Sequence, residues 1–577
     1  MTRPSLTVQE ELSRDTGREK VFLWMIVLWI CLLLYFNPRL LALTYAAPDA
    51  LSKAAVVIFT LCLDSIWFYT LYHIFMIGIS WRLRRKYYEP PLPSLKGFPA
   101  VAVLYPTRND FCPEAFESCL LLEYKNKHVF ILDDSTIPDY QARIDRAAKD
   151  HSRTVTVIRR KDKKGYKAGN LNFTLRQIES QYPYFVVSDA DGILPKNFIG
   201  DLLAYFEADS RIAFVQTCQK WNSSQNGSFA QALGFMIEAH YRYYVRARNR
   251  YGFVMFYGHG AILKTSVWKE SGGFPELATE DLAYSSRVRR LGYQGIYTER
   301  VVCLEDFPAG LRQFRLRSEK WIRGTSEFLK KEYGEFARSS QVPWFEKADV
   351  LINAGSHYQS AVMLVFLLML GTLLPAYFNH FRYPGSFFLM PVAYGKSPVD
   401  YLFHIRYHIF WSLDFYVVMV ASIFCPLVPA IVNMYRKPAT LIRYVALSTC
   451  AFFSCLIVET LDVLVFLATG RAIFRNTQDA ALERNGPLPK PMTAHFFPNH
   501  PAVFIIELSF AASFFGIGLL TKNLWFFAPA AGLALSPMIC NLGWEQRWVR
   551  GMSYLPFVIT IVIVVLVTLD VLMAARA

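Results

Sequence analysis

The chain has 577 residues, 53% of them hydrophobic, with a net charge of +15 and a mean hydropathy of +0.22. That is too apolar for an ordinary soluble protein of this size. Nucleic acid binding is the plainest reading of a basic pI. It is set aside because the basic residues flank apolar runs or gather in one central region, which suits a membrane surface and a phosphate-bearing substrate better. Ten cysteines show no Cys-x-x-Cys pair and no metal-type spacing. Several of them (Cys31, Cys62, Cys425, Cys450, Cys455) lie in apolar runs, so no disulfide framework is expected.

In chain order, residues 1–20 read as a polar cytoplasmic tail without a cleavable signal pattern. Residues 21–86 contain two apolar runs, 21–36 and 54–80, which with their flanks approach the ~20 residues of a membrane span. The second carries Asp64 and is followed by Trp81-Arg82-Leu83-Arg84-Arg85-Lys86, a basic cluster that should stay cytoplasmic. Pro90, Pro91 and Pro93 mark a linker. Residues 99–309 then form a soluble insert of roughly two hundred residues, an ordinary domain size. Strand-like runs at 100–105, 128–132, 154–158, 184–188 and 212–216 alternate with stretches of helical length. The pattern predicts an α/β sheet, mostly parallel, with ligands outside the carboxyl ends of its strands. Residues 310–345 are basic and amphipathic (Leu311, Phe314, Leu316, Trp321, Phe328, Leu329) and predict interfacial helices. Residues 346–577 hold apolar runs near 361–378, 409–434, 441–467, 503–520, 524–542 and 555–573, giving seven or eight spans in all. The run 441–467 carries Glu459 and Asp462, which are costly in lipid. It is therefore read as partly interfacial or re-entrant.

The polar groups of the insert collect at the strand ends. Thr107-Arg108-Asn109-Asp110 follows the first strand, Asp133-Asp134-Ser135 the second, and Lys161, Lys163, Lys164 and Lys167 the third. The fourth ends in Asp189-Ala190-Asp191-Gly192. Two carboxylates two residues apart can share one hard divalent cation, Mg²⁺ or Mn²⁺, that keeps open positions for phosphates. Alone, Asp-x-Asp before Gly is more often an Asx turn. Four polar clusters on one sheet edge reverse that preference. Thr279-Glu280-Asp281 is likewise a capping motif when taken alone; here Thr279 is expected to cap a helix over 281–291, with Gly292 ending it.

Asp133-Asp134, Asp189-x-Asp191, Thr279-Glu280-Asp281 and an amphipathic segment bearing Trp321 occur in that order between membrane spans. Lys167-Ala168-Gly169-Asn170-Leu171-Asn172 lies between the second and third strand-end acids. The set resembles the processive family-two membrane glycosyltransferases: the cellulose, mixed-linkage glucan, curdlan, chitin and hyaluronan synthases. The resemblance implies a GT-A-like nucleotide-sugar domain inserted between α-helical transmembrane segments. It implies that Thr107, Asn109, Asp110 and Asp134 hold the uridine end of a UDP-sugar, that Asp133 also binds substrate and that Lys167 contacts the diphosphate. Asp189 and Asp191 would bind diphosphate and metal, Asp281 would be the general base, and Glu280 would tune it. The family's acceptor motif, Gln-x-x-Arg-Trp, becomes Arg317-Ser318-Glu319-Lys320-Trp321 here, so Arg317, Lys320 and Trp321 face a growing polysaccharide or oligosaccharide acceptor. Phe474 and Thr477 weakly match a gating loop near 470–500.

Three readings follow. The first is an inverting synthase that polymerises sugar, UDP-glucose before others, into a β-linked polysaccharide and moves it across a bacterial inner membrane with the domain cytoplasmic. The second adds one or a few sugars to a lipid or oligosaccharide. The third is a non-catalytic scaffold or transporter. His259, in Tyr257-Gly258-His259-Gly260-Ala261, is read either as an acceptor contact or as a structural histidine. Tyr241, Tyr243 and Tyr244 are read as helix packing before a sugar platform. No nucleic acid partner is expected, and accessory export subunits stay open.

Overall fold

The computed structural model describes residues 18–84, 92–373, 413–470, 472, 498–521 and 524–574. It opens with two helices, α1 (Arg18–Ala46) and α2 (Ala50–Arg84), of 29 and 35 residues. At 1.5 Å per residue the shorter is about 43 Å long, and both are apolar on every face, as a span requires. Lys86 and the gating residues Phe474 and Thr477 lie outside the described residues.

An eight-stranded sheet follows: β1 (Val101–Thr107), β2 (Lys127–Asp133), β3 (Val155–Ile158), β4 (Tyr184–Val187), β5 (Gly192–Ile193), β6 (Ile212–Trp221), β7 (Ala261–Lys264) and β8 (Gln294–Glu305). Their spatial order is β3-β2-β1-β4-β7-β6-β8-β5. The pairs β1–β2, β1–β4, β2–β3 and β6–β8 are parallel. β7 runs antiparallel between β4 and β6, and β5 antiparallel to the end of β8. The five expected strands are present, and the parallel half of the sheet is the half they specify. The other three escape a sequence reading because β5 is two residues long, β7 is four, and the β6–β8 register breaks between Thr217 and Cys218.

Every residue of β1 is buried. Alternate side chains of a strand point to opposite faces, so Val101, Val103 and Tyr105 join a cluster with Ile131, Val186 and Phe198. Ala102 and Leu104 join another with Leu171, Leu175 and Tyr284. A strand covered on both faces reads as a continuous apolar run, and its polar groups are displaced to its ends. Those ends meet α3 (Tyr166–Ile178), α4 (Ser228–Ala239), α5 (Glu280–Arg290) and α6 (Leu311–Lys331).

Helices stand where 310–345 predicts them, and α6 is more than a surface helix. The span holds two helices, α6 and the short Tyr333–Arg338, and α6 sends polar side chains into the apolar bundle. Arg315, fully buried, pairs with Glu507 at 2.6 Å and also donates to Ser536 Oγ and the Ser454 carbonyl. Arg323 pairs with Asp462 at 2.7 Å and with Glu319 at 3.0 Å. Ser318 donates to Glu459 at 2.6 Å, and Ser360 donates to the same carboxylate. Paired charges of this kind replace the solvation that lipid denies.

The partners of α6 stand on the closing helices. Trp344–Ser356 (α7) and Gln359–Leu368 (α8) form a pair bent by 54°, followed by α9 (Pro438–Thr469), α10 (Pro501–Thr521), α11 (Phe527–Leu542) and α12 (Leu555–Ala574). α9 is continuous over 32 residues. The run 441–467 is therefore part of one unbroken helix, with Glu459 and Asp462 paired to Ser318 and Arg323 rather than bare in lipid. The run 409–434 is broken into Leu413–Phe424, Cys425–Leu427 and Val428–Met434, where Pro426 and Pro429 interrupt it. Among the described residues six helices are long and apolar enough to cross a membrane, or seven if the bent pair is one span.

The domain is also tied to this bundle away from α6. Arg248 reaches Asp349 at 3.1 Å, Tyr72 Oη at 2.5 Å and Asn353 Oδ1 at 2.8 Å. Arg315→Leu leaves Glu507 buried without its cation, a change that costs about 3–5 kcal/mol. The melting temperature in detergent should fall accordingly, and Arg315→Leu/Glu507→Leu should recover most of the loss. A single variant that melts like wild type would show that the pair contributes nothing.

Candidate active site

Four loops at the carboxyl ends of β1–β4 and the first turns of α3 and α5 build the site. In the β1 loop, Thr107 Oγ1 and the Arg108 amide both donate to Asp110 Oδ1 at 2.6 Å. Asn109 takes φ +60°, a left-handed conformation that Asn tolerates. Its amide oxygen accepts from the Thr136 and Ile137 backbone at 2.8 and 3.1 Å, and its nitrogen donates to Thr136 Oγ1 at 3.0 Å. Asn109 thus laces the first loop to the second.

Asp133 and Asp134 are not bare acids. Arg159 Nε donates to Asp133 Oδ2 at 2.6 Å, and Arg160 grips Asp134 with two nitrogens, the shorter contact being 2.6 Å. These arginines end β3, the strand beside β2. A pair of cations at the parallel neighbour's end is the signal that could have found them. The Lys-Ala-Gly-Asn-Leu-Asn run has a packing reason. A Cβ on Gly169 would stand 2.2 Å from the Lys164 carbonyl oxygen and 2.7 Å from Arg160 Nη1. Asn170 and Asn172 tie α3 to the Leu132 and Phe274 carbonyls at 3.0 and 2.8 Å. Lys163 donates to the Asp134 and Ser135 carbonyls, while Lys161 and Lys164 are exposed.

Lys167 sits at the centre. Its ammonium donates to Asp189 Oδ1 and, at 3.0 Å, to the Gly258 carbonyl. A Cβ on Gly258 would lie 3.7 Å from that ammonium and 3.5 Å from Asp281 Oδ2, so Asp189 and Asp281 flank one loop and one cation. Burial raises the affinity of Asp189 for a proton, but Lys167, with His259 and Lys320, outweighs it and holds the carboxyl below its ordinary range. Asp191 is pushed well above that range by burial first, then by Glu305 and Asp189. Asp281 is raised to about 7 by burial and by Glu280, with Lys320 and Lys167 opposing.

α5 begins at Glu280 and Gly292 follows its end, as expected, but Thr279 does not cap it. Thr279 Oγ1 donates instead to the Gly324 carbonyl of α6 at 3.0 Å. A Cβ on Gly324 would be 2.6 Å from Thr279 Cγ2. Only glycine lets α6 approach so closely, and that approach brings the Trp321 segment beside Asp281.

Glu305, at the end of β8 and in register with Gly192, was not anticipated. An acid at a strand end, like Asp133, was its available signal. Glu305 faces His259 Nε2 at 3.4 Å and Arg317 Nη2 at 3.2 Å. The Arg317 guanidinium in turn lies 5.1 Å over the Trp321 ring and 5.3 Å over Phe307. One face of the expected sugar platform is therefore covered by the residue that replaces the usual Gln. Tyr241 and Tyr243 are buried as packing.

Among the described residues no three His, Cys, Asp or Glu groups form a closed metal cage. Two strand-end carboxylates that leave the remaining positions to phosphate oxygens suit Mg²⁺ or Mn²⁺. The repulsion between Asp189, Asp191 and Glu305 is of the kind a divalent cation relieves. The donor set fits such an ion.

Residues 99–324 match the family described as Glycosyltransferase like family 2. Over 225 residues the chain is 25% identical to a rice (Oryza sativa subsp. japonica) protein named Probable glucomannan 4-beta-mannosyltransferase 6, covering 38% of this chain and 39% of that one. Over 340 residues it is 23% identical to Glucans biosynthesis glucosyltransferase H of Rhodopseudomonas palustris, covering 53% and 45%. The match thus spans less than half the length of either relative. Among solved structures, the mannosyltransferase PcManGT from Pyrobaculum calidifontis, in complex with GDP-Man and Mn2+, superposes with a TM-score of 0.43 at 18% identity, covering 67% of this chain and 99% of that one.

The raised Asp281 bears on stability. Its value of about 7 lies above the ~3.9 of an unfolded carboxyl, so the folded chain binds the proton more tightly. That contribution is complete below about pH 4 and is lost as pH rises through 7. Asp281→Asn should therefore melt higher than wild type at pH 8, by the equivalent of roughly 1–3 kcal/mol once partial solvent access is discounted. The gap should narrow at pH 5; a gap independent of pH would refute the shift.

Proposed function

We propose, from the match of residues 99–324 to the family described as Glycosyltransferase like family 2, that this protein moves a sugar from a nucleotide-diphosphate donor, UDP-glucose before others, onto a growing β-linked glycan and passes the product across the membrane. The observation that carries the reading is the separation of two carboxylate roles across Lys167 and Gly258. Asp189 is held ionised beside the cation, whereas Asp281 is poised near neutrality. A base works best when its affinity for protons matches the working pH. Asp281 takes the proton of the acceptor hydroxyl as that oxygen bonds to the anomeric carbon and the bond to the diphosphate breaks. One base without a covalent nucleophile inverts the centre, so an α-linked donor gives a β-glycoside. Asp189 and Asp191 would hold a divalent cation, which offsets the charge of the leaving diphosphate. Lys167 and Lys320 add positive charge on the same side.

The relatives' names support hexosyl transfer into β-linked glucan or mannan, so GDP-mannose belongs in the donor panel. The basic residues that close α2 and the cytosolic supply of nucleotide sugars support a cytoplasmic domain on a bacterial inner membrane. A second reading, addition of one or a few sugars to a lipid or oligosaccharide, is favoured by one observation: Arg317 covers a face of Trp321, which narrows the platform for a long chain.

The purified protein should release nucleotide from one donor of such a panel, and EDTA or Asp189→Asn should abolish the release. Asp281→Asn should lower turnover ~10²-fold or more while donor affinity by calorimetry changes little. Near wild-type turnover, or a loss of donor binding as complete as that of Asp189→Asn, would refute the base. The kcat/KM profile should fall on the acid side of about pH 7, where Asp281 holds its proton. Trp321→Ala should reduce polymer formation more than donor hydrolysis, the stacked ring being worth ~1–2 kcal/mol; equal losses would make Trp321 an anchor only.

A further inference from the structure

Asp189 already carries a cation, and the chain itself supplies it. Gly165 and Tyr166 take left-handed backbone, with φ +73° and +50°, immediately before Lys167 in the first turn of α3. The Lys167 side chain is only 19% exposed. Its ammonium is held by Asp189 Oδ1 and by the Gly258 carbonyl. Glu280 and Asp281 on α5 add attraction, while His259 and Lys320 also act electrostatically on Asp189.

We propose that Lys167 makes cation binding and nucleotide binding one event: its ammonium competes with a divalent cation for Asp189 until a diphosphate draws it away. The proposal rests on the donor site assigned above and says how that site fills. A divalent cation arriving alone must shed water, which Mg²⁺ does reluctantly. It must also displace an ammonium already seated on one of its two carboxylates, and among the described residues no third His, Cys, Asp or Glu completes a metal-binding group. A diphosphate changes both sides of that balance. It offers the cation further oxygens, and it offers Lys167 another anion within the swing of a flexible four-carbon stem. The coupling is reciprocal, so the cation raises nucleotide affinity by the factor by which nucleotide raises cation affinity. Lys167 is here a positioning residue.

The test measures Mn²⁺ binding to the full-length protein in detergent, by electron paramagnetic resonance of the free ion, without and with saturating UDP. Wild type should bind Mn²⁺ about tenfold or more tightly with UDP than without, within the usual range of such coupling. Lys167→Met and Lys167→Gln should bind Mn²⁺ alone about tenfold more tightly than wild type, and the gain from UDP should shrink. Lys167→Arg, which keeps the charge, should preserve the wild-type pattern. Asp189→Asn should lose binding in both arms, which locates the ion. The proposal is overturned if both neutral variants keep the wild-type affinity for Mn²⁺ alone, if both lose Mn²⁺ binding, or if wild type binds Mn²⁺ equally well without UDP. A wild type that binds no Mn²⁺ even with UDP would overturn the donor-site assignment as well.

Discussion

Two guanidinium groups inside an apolar bundle constrain the whole molecule. Arg315 and Arg323 are fully buried, and Glu507, Asp462 and Glu319 compensate their charges at hydrogen-bonding distance, with Ser536 and the Ser454 carbonyl adding acceptors to Arg315. A buried ion pair adds little over a well-packed apolar contact, but a buried charge that loses its partner is severely destabilising. α6 is therefore fixed in rotation and height against α9, α10 and α11. The same helix presents Arg317, Lys320 and Trp321 on its other side and receives Thr279 at Gly324. The placement of the Trp321 segment relative to Asp281 follows from charges paired inside the helical bundle.

Within the site the same economy of charge operates at closer range. Lys167, His259 and Lys320 keep Asp189 ionised; Glu305 and burial drive Asp191 the other way; Glu280 and burial lift Asp281. Carboxylates of one residue type thus acquire different proton affinities through their neighbours. Arg159 and Arg160 remove Asp133 and Asp134 from that contest by neutralising them locally. What remains is a Lys167–Asp189 side dominated by paired charge, with Asp281 as the carboxylate free to change state.

Sequence patterns revealed what is periodic or clustered in the chain. The runs of β1–β4 and β6 showed as strands because both faces are buried and the polar residues are pushed to their ends. Thr107, Asp134, Lys167, Asp189 and Asp281 do converge, as strand-end clusters in an α/β sheet should. What depended on pairing across long separations was not legible. Glu459 and Asp462 look like obstacles to a span until Ser318 and Arg323, some 140 positions earlier, are seen opposite them. Thr279 looks like a cap until the carbonyl of Gly324 competes for its hydroxyl. Glu305 was invisible because its role comes from β8 pairing with β5, a two-residue strand.

The route of the chain has a mechanical consequence. β8 ends at Glu305, a turn of five residues leads into α6, and α6 is bolted by the Arg323–Asp462 ion pair to α9, a helix of 32 residues. A membrane of different thickness is accommodated by helix tilt. Tilt of α9 carries α6 with it, and α6 can relax only by pulling on the sheet or by sliding past Thr279. In a bilayer, the tilt of α9 would therefore bear on the gap between the Trp321 segment and Asp281.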